Sequence, residues 1–333
     1  MIFGKKILIT GVSGYIGSCL YSHLKKKYQF VYGLDKSKPS KLSRVKKKDF
    51  FKCNLLNSKK LNKVIKLIKP NIIIHLAAQS TVDPKISKKK YFINNVQTTK
   101  NLISSMKDFN LSKIIFSSTA AVYKEKNSRI SEDDKISAKS YYGKSKVAAE
   151  NLIKKNKKVK FIILRFFNVS GALLKPLIGE MHFPETHFIP TLVYKSLKNQ
   201  TIRVFGKNYN TYDGTCIRDY IHISDICHSI EKSIVHIFKK NYKSKIINVG
   251  NGIGISNLQI LESLKNKLKY KIKILFTKRR VGDSEKLVCN IEKSRKNLNW
   301  KPRNSKIEKI ITDEIIWSKH LLKRGFKRFK NQT

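Results

Sequence analysis

From the start of the chain to about Asn168, continuous apolar runs alternate with lysine-rich stretches of helical period. KILIT, FVYGLD, NIIIHLAA, KIIFSST and KFIILRFFN read as strands, and SCLYSHLKKK, LNKVIKLIK, NNVQTTKNLISSMKDF and SKVAAENLIKK read as the helices between them. A strand that is apolar at nearly every position has no face to offer to water. It needs cover on both sides, and a doubly wound parallel sheet with helical crossovers supplies that cover. After Asn168 the texture changes. Pro176, Pro184 and Pro190 interrupt a loop-rich stretch, then short strands (TIRVFG, KIKILF) and helices (NLQILESLKNKL, IEKIITDEIIWSKHLL) follow. A chain of 333 residues also exceeds the roughly 250–300 that a single core serves. The expected division is 1–167 for the parallel-sheet domain and 168–330 for a smaller mixed α/β lobe, with a return to the first domain near 215–235.

The first strand runs directly into Gly11, Gly14 and Gly17, spaced G-x-x-G-x-x-G, and these lead into a helix. Glycines there let backbone approach a pyrophosphate that rests on the unpaired N–H groups of the helix start. The spacing alone also suits a tight strand–helix turn; its place after the first strand points to a Rossmann-type dinucleotide domain. Asp35 closes the second strand, where an acid can bind the adenosine ribose hydroxyls and repel a 2′-phosphate. NAD is therefore expected rather than NADP, although Lys36 and Lys38 soften the preference.

Ser117, Ser118 and Thr119 end the strand KIIFSST, and ligands of parallel sheets sit at carboxyl ends. Hydroxyls in such places also cap helices. In SYYGKSK (140–146), Tyr142 has Lys146 one helical turn on, whereas Tyr141 has only Ser145 at that spacing. A phenol ionises near pH 10 and does so more readily beside an ammonium, which makes Tyr142 the candidate general base. An amphipathic helix opening on a core aromatic looks the same in isolation.

The net charge of +49 comes mostly from lysine spread along the whole chain. Nucleic-acid binders concentrate positive charge on one face and favour arginine for forked contacts, so no specific nucleic-acid partner is expected. Weak, salt-dependent binding to polyanions would follow from charge alone. No run of about 18 uncharged apolar residues appears, and the N-terminal stretch lacks a signal-peptide layout, so a cytoplasmic protein without a membrane span is expected. Cys19, Cys53, Cys216, Cys227 and Cys289 are scattered and never form C-x-x-C, which argues against a disulfide framework or a zinc site. No metal is expected.

ITGVSGYIGS, HLAAQSTVD, NNVQTT, FSSTAAVY, YYGKSK, LRFFNVSGA, PETHFIP, YNTYDGTCIRDYIHISDI, INVGNGIGISNLQI and RRVGD span nearly the whole chain. Through them it resembles the extended short-chain dehydrogenase/reductase superfamily and, within it, the UDP-glucose 4-epimerase family. The resemblance implies reversible 4-epimerisation of UDP-glucose and UDP-galactose through a transient 4-keto sugar and bound NAD, usually in a homodimer. The helices after HLAAQS and around SKVAAENLI are the candidates for joining the subunits. Implied catalytic residues are Tyr142, which takes the 4-hydroxyl proton, Lys146, which bonds the nicotinamide ribose and tunes Tyr142, and Thr119 at the 4-oxygen. Implied cofactor contacts run through Gly11, Gly14, Tyr15, Ile16 and Gly17, then Asp35, Asn54, Leu55, Leu76, Ala77, Ala78, Ser80 and Asn95, to Tyr142 and Lys146. For the UDP-hexose, the resemblance implies Asn168, His187, Phe205, Arg218, Arg280 and Asp283 besides Thr119 and Tyr142. His187 also fits a plain loop histidine.

The chain departs from the family pattern in places. Cys53-Asn54 stands where some relatives have GD, and Asn54 keeps an acceptor but no charge. Lys124 replaces a commoner glycine and reads as solvated. Leu287 falls where the family varies residue size around an N-acetyl group, so UDP-N-acetylhexosamine 4-epimerases stay open, and abundant lysine, able to supply a cation for a sugar carboxylate, keeps UDP-glucuronate 4-epimerases or decarboxylases open as well. Nucleotide-sugar 4,6-dehydratases want an added acid and base after the threonine, where this chain has Ala120 and Ala121. A non-catalytic polyanion-binding scaffold is the reading of a different class, and the intact Thr119, Tyr142 and Lys146 speak against it.

Overall fold

The computed structural model describes residues 4–81, 83, 85–269, 272–279 and 284–329. Its first part lays down β1 (Ile7–Thr10), α1 (Tyr15–Leu24), β2 (Val31–Asp35), β3 (Phe50–Lys52), α2 (Ser58–Ile68) and β4 (Ile72–His75). A short α3 (Lys88–Tyr91) continues through a π-helical stretch, Phe92–Gln97, into α4 (Thr98–Asp108). Then come β5 (Lys113–Thr119), α5 (Tyr141–Lys155) and β6 (Lys160–Phe166). The second part begins with β7 (Asn168–Ser170), β8 (Leu173–Leu174), β9 (Leu177–Ile178), α6 (Phe188–Leu197), β10 (Ile202–Phe205), β11 (Ile217–His222) and α7 (Ile223–Ile237). It ends with β12 (Lys245–Val249), β13 (Gly254–Ser256), α8 (Asn257–Leu268), β14 (Ile274–Thr277), β15 (Lys286–Leu287), α9 (Glu292–Leu298) and α10 (Ile307–Lys323).

The apolar runs form one seven-stranded sheet in the order β12-β6-β5-β4-β1-β2-β3, with every neighbouring pair parallel. Burial explains the composition. β1 and β4 are buried at every position because α1 and α7 cover one face of the sheet while α2, α4 and α5 cover the other. The strand order reverses between β1 and β4, and the crevice beyond their carboxyl ends is where such sheets bind ligands.

The return to this sheet runs further than the expected segment near 215–235. β11 does not join the large sheet; it pairs with β7, β13 and β15. The helix after it, α7, packs Ile226, Ile230 and Ile234 into the sheet core, and β12 then adds the seventh strand beside β6. The run IINV is as short as the strands of the smaller lobe, so only its pairing reveals where it belongs. That lobe has its own core, in which α6, α8 and α10 close over β10 and β11.

Candidate active site

The glycine turn separates two needs. Gly11 has φ +77°, and a Cβ on Gly17 would stand 2.1 Å from the Gly11 carbonyl oxygen, so packing of α1 on β1 by itself demands both glycines. Gly14 differs. A Cβ there would meet only that same oxygen, at 3.4 Å, an ordinary contact. The protein's own packing leaves Gly14 free to carry a side chain, yet it stands at the N-cap of α1, which has no side-chain cap and no acid in its first turn. The space a side chain would fill lies against unpaired N–H groups, which fits the pyrophosphate of a dinucleotide. Asp35 lies beside this turn and accepts from Ser13 N (3.1 Å) and Ser37 N (3.0 Å). Ala77 backbone also closes on Gly11, so the segment Leu76–Ala78 after β4 borders the same crevice.

Some implied cofactor residues are committed elsewhere. The Tyr15 side chain is buried in the core and donates to Gly171 O (2.5 Å), and Leu55 is also a core residue, which leaves their backbone to face a ligand. Asn54 is exposed and caps Leu56 N through Oδ1 (3.0 Å). The buried Asn95 accepts from Gln79 N (2.7 Å) and donates to Gln79 O (3.2 Å) and Ser145 Oγ (2.8 Å). Its amide therefore ties the loop after β4 to α5. Ser80 is exposed and Ile16 half-buried.

Tyr142 occupies the first turn of α5, which Ser140 caps by accepting from Gly143 N (3.1 Å). A Cβ at Gly143 would lie 2.4 Å from Ala121 O, so this glycine lets the helix start press against the turn after β5. That approach brings the Tyr142 and Thr119 hydroxyls into hydrogen bonding. Lys146, only 2% exposed, donates to Ser117 O (2.7 Å) and lies over the Phe116 ring, 4.7 Å from its centroid. Tyr141 is exposed, with Lys144 above its ring.

The electrostatics differ from the expected tuning of a phenol by a lysine. Burial pushes Tyr142 up to about 12, with the Thr119 hydrogen bond working the other way. Burial pushes Lys146 down to about 7, opposed by the charge of Glu150. At both positions desolvation outweighs the neighbouring groups, the Thr119 hydroxyl at Tyr142 and the Glu150 charge at Lys146.

Sequence reasoning missed the support beneath these groups. Glu150, one turn after Lys146, receives Ser118 Oγ (2.5 Å) and a forked pair from Arg165, with Nε at 3.0 Å and an Nη at 2.7 Å. Arg165 continues to the Tyr123 hydroxyl (2.8 Å), which donates to Asn248 Oδ1 (2.6 Å). Glu150 and Arg165 are 1% and 2% exposed. The available signal was an arginine inside the otherwise apolar run FIILRFF. His75 is similarly hidden, bonded to Thr10 and Thr99 and pushed down to about 3 by burial.

The implied sugar-nucleotide residues come from the other lobe. Asn168 faces Tyr220 across the β7–β11 pairing, and Arg218 faces Leu287 across β11–β15. Glu125 in the loop after β5 is held below the usual carboxylate range chiefly by its hydrogen bond from Lys139, and the Arg218 charge adds to this from across the edge between the lobes. Phe205 ends β10. His187 is the N-cap residue of α6; its Nδ1 lies 2.8 Å from Glu185 Oε1. Burial works against its proton, but the Glu185 hydrogen bond and two carboxylate charges raise it to about 9. Arg280 and Asp283 lie outside the described residues. Lys124 is exposed.

Comparison with known proteins agrees with this geometry. The NAD dependent epimerase/dehydratase family model matches residues 7–250. The chain belongs to that family. Among relatives of this NAD dependent epimerase/dehydratase, the UDP-glucose 4-epimerase of Lactobacillus helveticus is 34% identical over 321 residues, covering 94% of this chain and 97% of the relative. A solved UDP-glucose 4-epimerase from Brucella ovis, in complex with NAD, superposes with a TM-score of 0.89 at 28% identity, covering 95% of this chain and 99% of that one. The UDP-Glc/GlcNAc 4-epimerase of Campylobacter jejuni superposes with a TM-score of 0.80 at 31% identity, covering 95% and 100%. The Rossmann-type sheet and NAD dependence are thus properties of the family to which the chain belongs.

Proposed function

We propose that this chain interconverts UDP-glucose and UDP-galactose by oxidising C4 of the sugar and reducing it again from the opposite face. The observation that carries this reading is the meeting of Thr119, Tyr142 and Lys146 at the carboxyl end of β5, beside a glycine turn shaped for a dinucleotide. NAD, when bound, supplies the hydride acceptor and donor at C4 and a nicotinamide charge that favours an ionised phenol. Tyr142 takes the proton of the 4-hydroxyl as hydride leaves C4, and returns it when the hydride comes back. Thr119 shares a hydrogen bond with that oxygen. Lys146, anchored on Ser117 O, holds its ammonium where Tyr142 and a ribose hydroxyl can share it. Arg218 and Asn168, with His187 and Phe205 at the rim, keep UDP fixed while the 4-keto sugar turns; arginine suits this through its two-pronged hold on phosphate. No net redox change occurs.

The test needs only purified protein, UDP-galactose and NMR, with no cofactor added. Formation of UDP-glucose supports the reading and shows that NAD is retained. Absence of product, repeated with NAD present, overturns it. A second reading extends the substrates to UDP-N-acetylhexosamines, because Leu287 packs half-buried against the cluster of Ala120 and Tyr123 that follows Thr119. Turnover of UDP-N-acetylgalactosamine in the same assay decides it. A cytoplasmic homodimer joined through helices such as α4 and α5 completes the proposal, with sedimentation equilibrium as its check. Among the described residues no helix is long and apolar enough to cross a membrane.

A further inference from the structure

Residues 180–187 read EMHFPETH, in which the unit Glu-x-His occurs twice. Both units fold alike. Glu180 Oε1 accepts from Met181 N (2.7 Å), His182 N (2.9 Å) and the side of His182 Nδ1 (2.6 Å). Glu185 Oε1 does the same with Thr186 N (2.8 Å), His187 N (2.8 Å) and His187 Nδ1 (2.8 Å). The two units face each other, with imidazole centroids 5.7 Å apart and His187 Nδ1 3.9 Å from Glu180 Oε2. Donor atoms of Glu180, His182 and His187 all lie within 4.8 Å of one another. We propose that the paired Glu180–His182 and Glu185–His187 units form a binding site for a divalent transition-metal ion, zinc in the first instance, that fastens the segment between β9 and α6.

A further observation points the same way. Glu185 is 4% exposed, and its Oε2 has no hydrogen-bond partner among the described residues, so a buried carboxylate oxygen beside the cluster is left to be satisfied. Arg328 and Glu314, both fully buried, lie beside the cluster and form their own ion pair. Arg328 is bonded to Glu314 at 2.8 Å and to the Glu180 main-chain carbonyl at 3.0 Å, so its charge is committed to Glu314 rather than to the Glu180 and Glu185 carboxylates. Two imidazoles and two carboxylates are a donor set suited to zinc and its neighbours rather than to calcium or magnesium. Four-coordinate zinc bonds of about 2.0–2.1 Å set ligand atoms roughly 3.3 Å apart, so the 2.6–2.8 Å Glu–His contacts open by less than about 1 Å on binding. Both histidines are partly exposed and can make that turn. The absence of cysteine from this ligand set is why cysteine spacing gave no hint of it. A second cluster, His23, His228 and Glu231, is less suited, because Lys27 Nζ lies 2.8 Å from Glu231 and brings its own positive charge.

The test uses the full chain, stripped with a chelator and titrated with Zn2+ alone by calorimetry, with Co2+ as a spectroscopic substitute. One ion per chain and the intense visible absorption of four-coordinate Co2+ are expected. His182→Ala should weaken affinity by at least about 10–100-fold, the range that even outer-shell losses cost, while His228→Ala leaves affinity and stoichiometry unchanged. Circular dichroism of each variant verifies that it is folded, and Glu185→Gln offers an independent ligand loss. Substoichiometric binding, binding indifferent to His182→Ala and Glu185→Gln, or loss of binding in His228→Ala overturns the site and leaves the two histidines as the counter-charges of their own glutamates. The readout is metal binding, so it stands apart from the sugar assay.

Discussion

At the scale of single residues, the three glycines of the first turn have separable tasks that the sequence shows as one motif. Gly17→Ala places a Cβ 2.1 Å from a backbone oxygen, and overpacking of that kind costs about 1–3 kcal/mol. Gly14→Ala finds room. Urea titration should therefore find Gly17→Ala destabilised and Gly14→Ala nearly unchanged, whereas NAD binding should fall sharply in Gly14→Ala. A Gly14→Ala protein that binds NAD normally removes the cradle from the proposal. Tyr142→Phe should lower turnover by at least about 100-fold, as loss of a positioned acid–base group does, with NAD and UDP binding kept. Near-normal activity in that variant refutes the assignment, and Tyr141→Phe, altering an exposed ring, should be mild. Tyr142 and Lys146 were legible because helical spacing is a property of sequence. Their ionisation was not: the direction in which each is shifted depends on burial, which comes from α5 pressing against the turn after β5.

Between elements, the strongest unforeseen feature is the Glu150–Arg165 pair that rivets α5 to β5 and β6. Glu150 bonds Ser118, the neighbour of Thr119, while its charge supports the proton on Lys146 one turn away. Removing one member leaves the other buried and unpaired, so Glu150→Ala should cost about 3–5 kcal/mol in denaturant unfolding. Replacing both by apolar residues of similar volume should cost less than that. A single variant as stable as wild type would show that the pair is not anchoring the helix. The strands and helices of the first part were readable from their periods, since burial on both faces writes continuous apolar runs. Arg165 broke an apolar strand run and Glu150 sat on a helix, and neither announced that they meet, because sequence separation says nothing about pairing. The same holds for Glu180 and Glu185, whose shared histidine geometry is visible only once the loop is folded.

Across the whole molecule, 71 lysines and arginines face 22 acids, and several of those acids are buried in the pairs described above. What remains at the surface is strongly positive and repels itself. Raising salt from about 0.01 M to about 0.15 M shortens the screening length from about 30 Å to about 8 Å. The melting temperature should rise over that range, and scanning calorimetry at fixed pH measures it. A fall or no change would show that surface ion pairs outweigh the repulsion. The texture change at Asn168 marked where the chain leaves the long apolar strands, but the place of β12 was not legible, because a short apolar run carries no mark of the sheet it joins.

That placement of β12 bears on how the protein is made. On the ribosome, β6 remains the unpaired rim of the main sheet until residue 249 has emerged, and the chain needed to close it passes first through the smaller lobe. An open apolar rim is a site for wrong pairing between nascent chains. Synthesis halted near residue 168 should leave a protease-sensitive, association-prone product, and the full chain should not. The smaller lobe is thus also a stage through which the parallel-sheet domain must pass before its own sheet is finished.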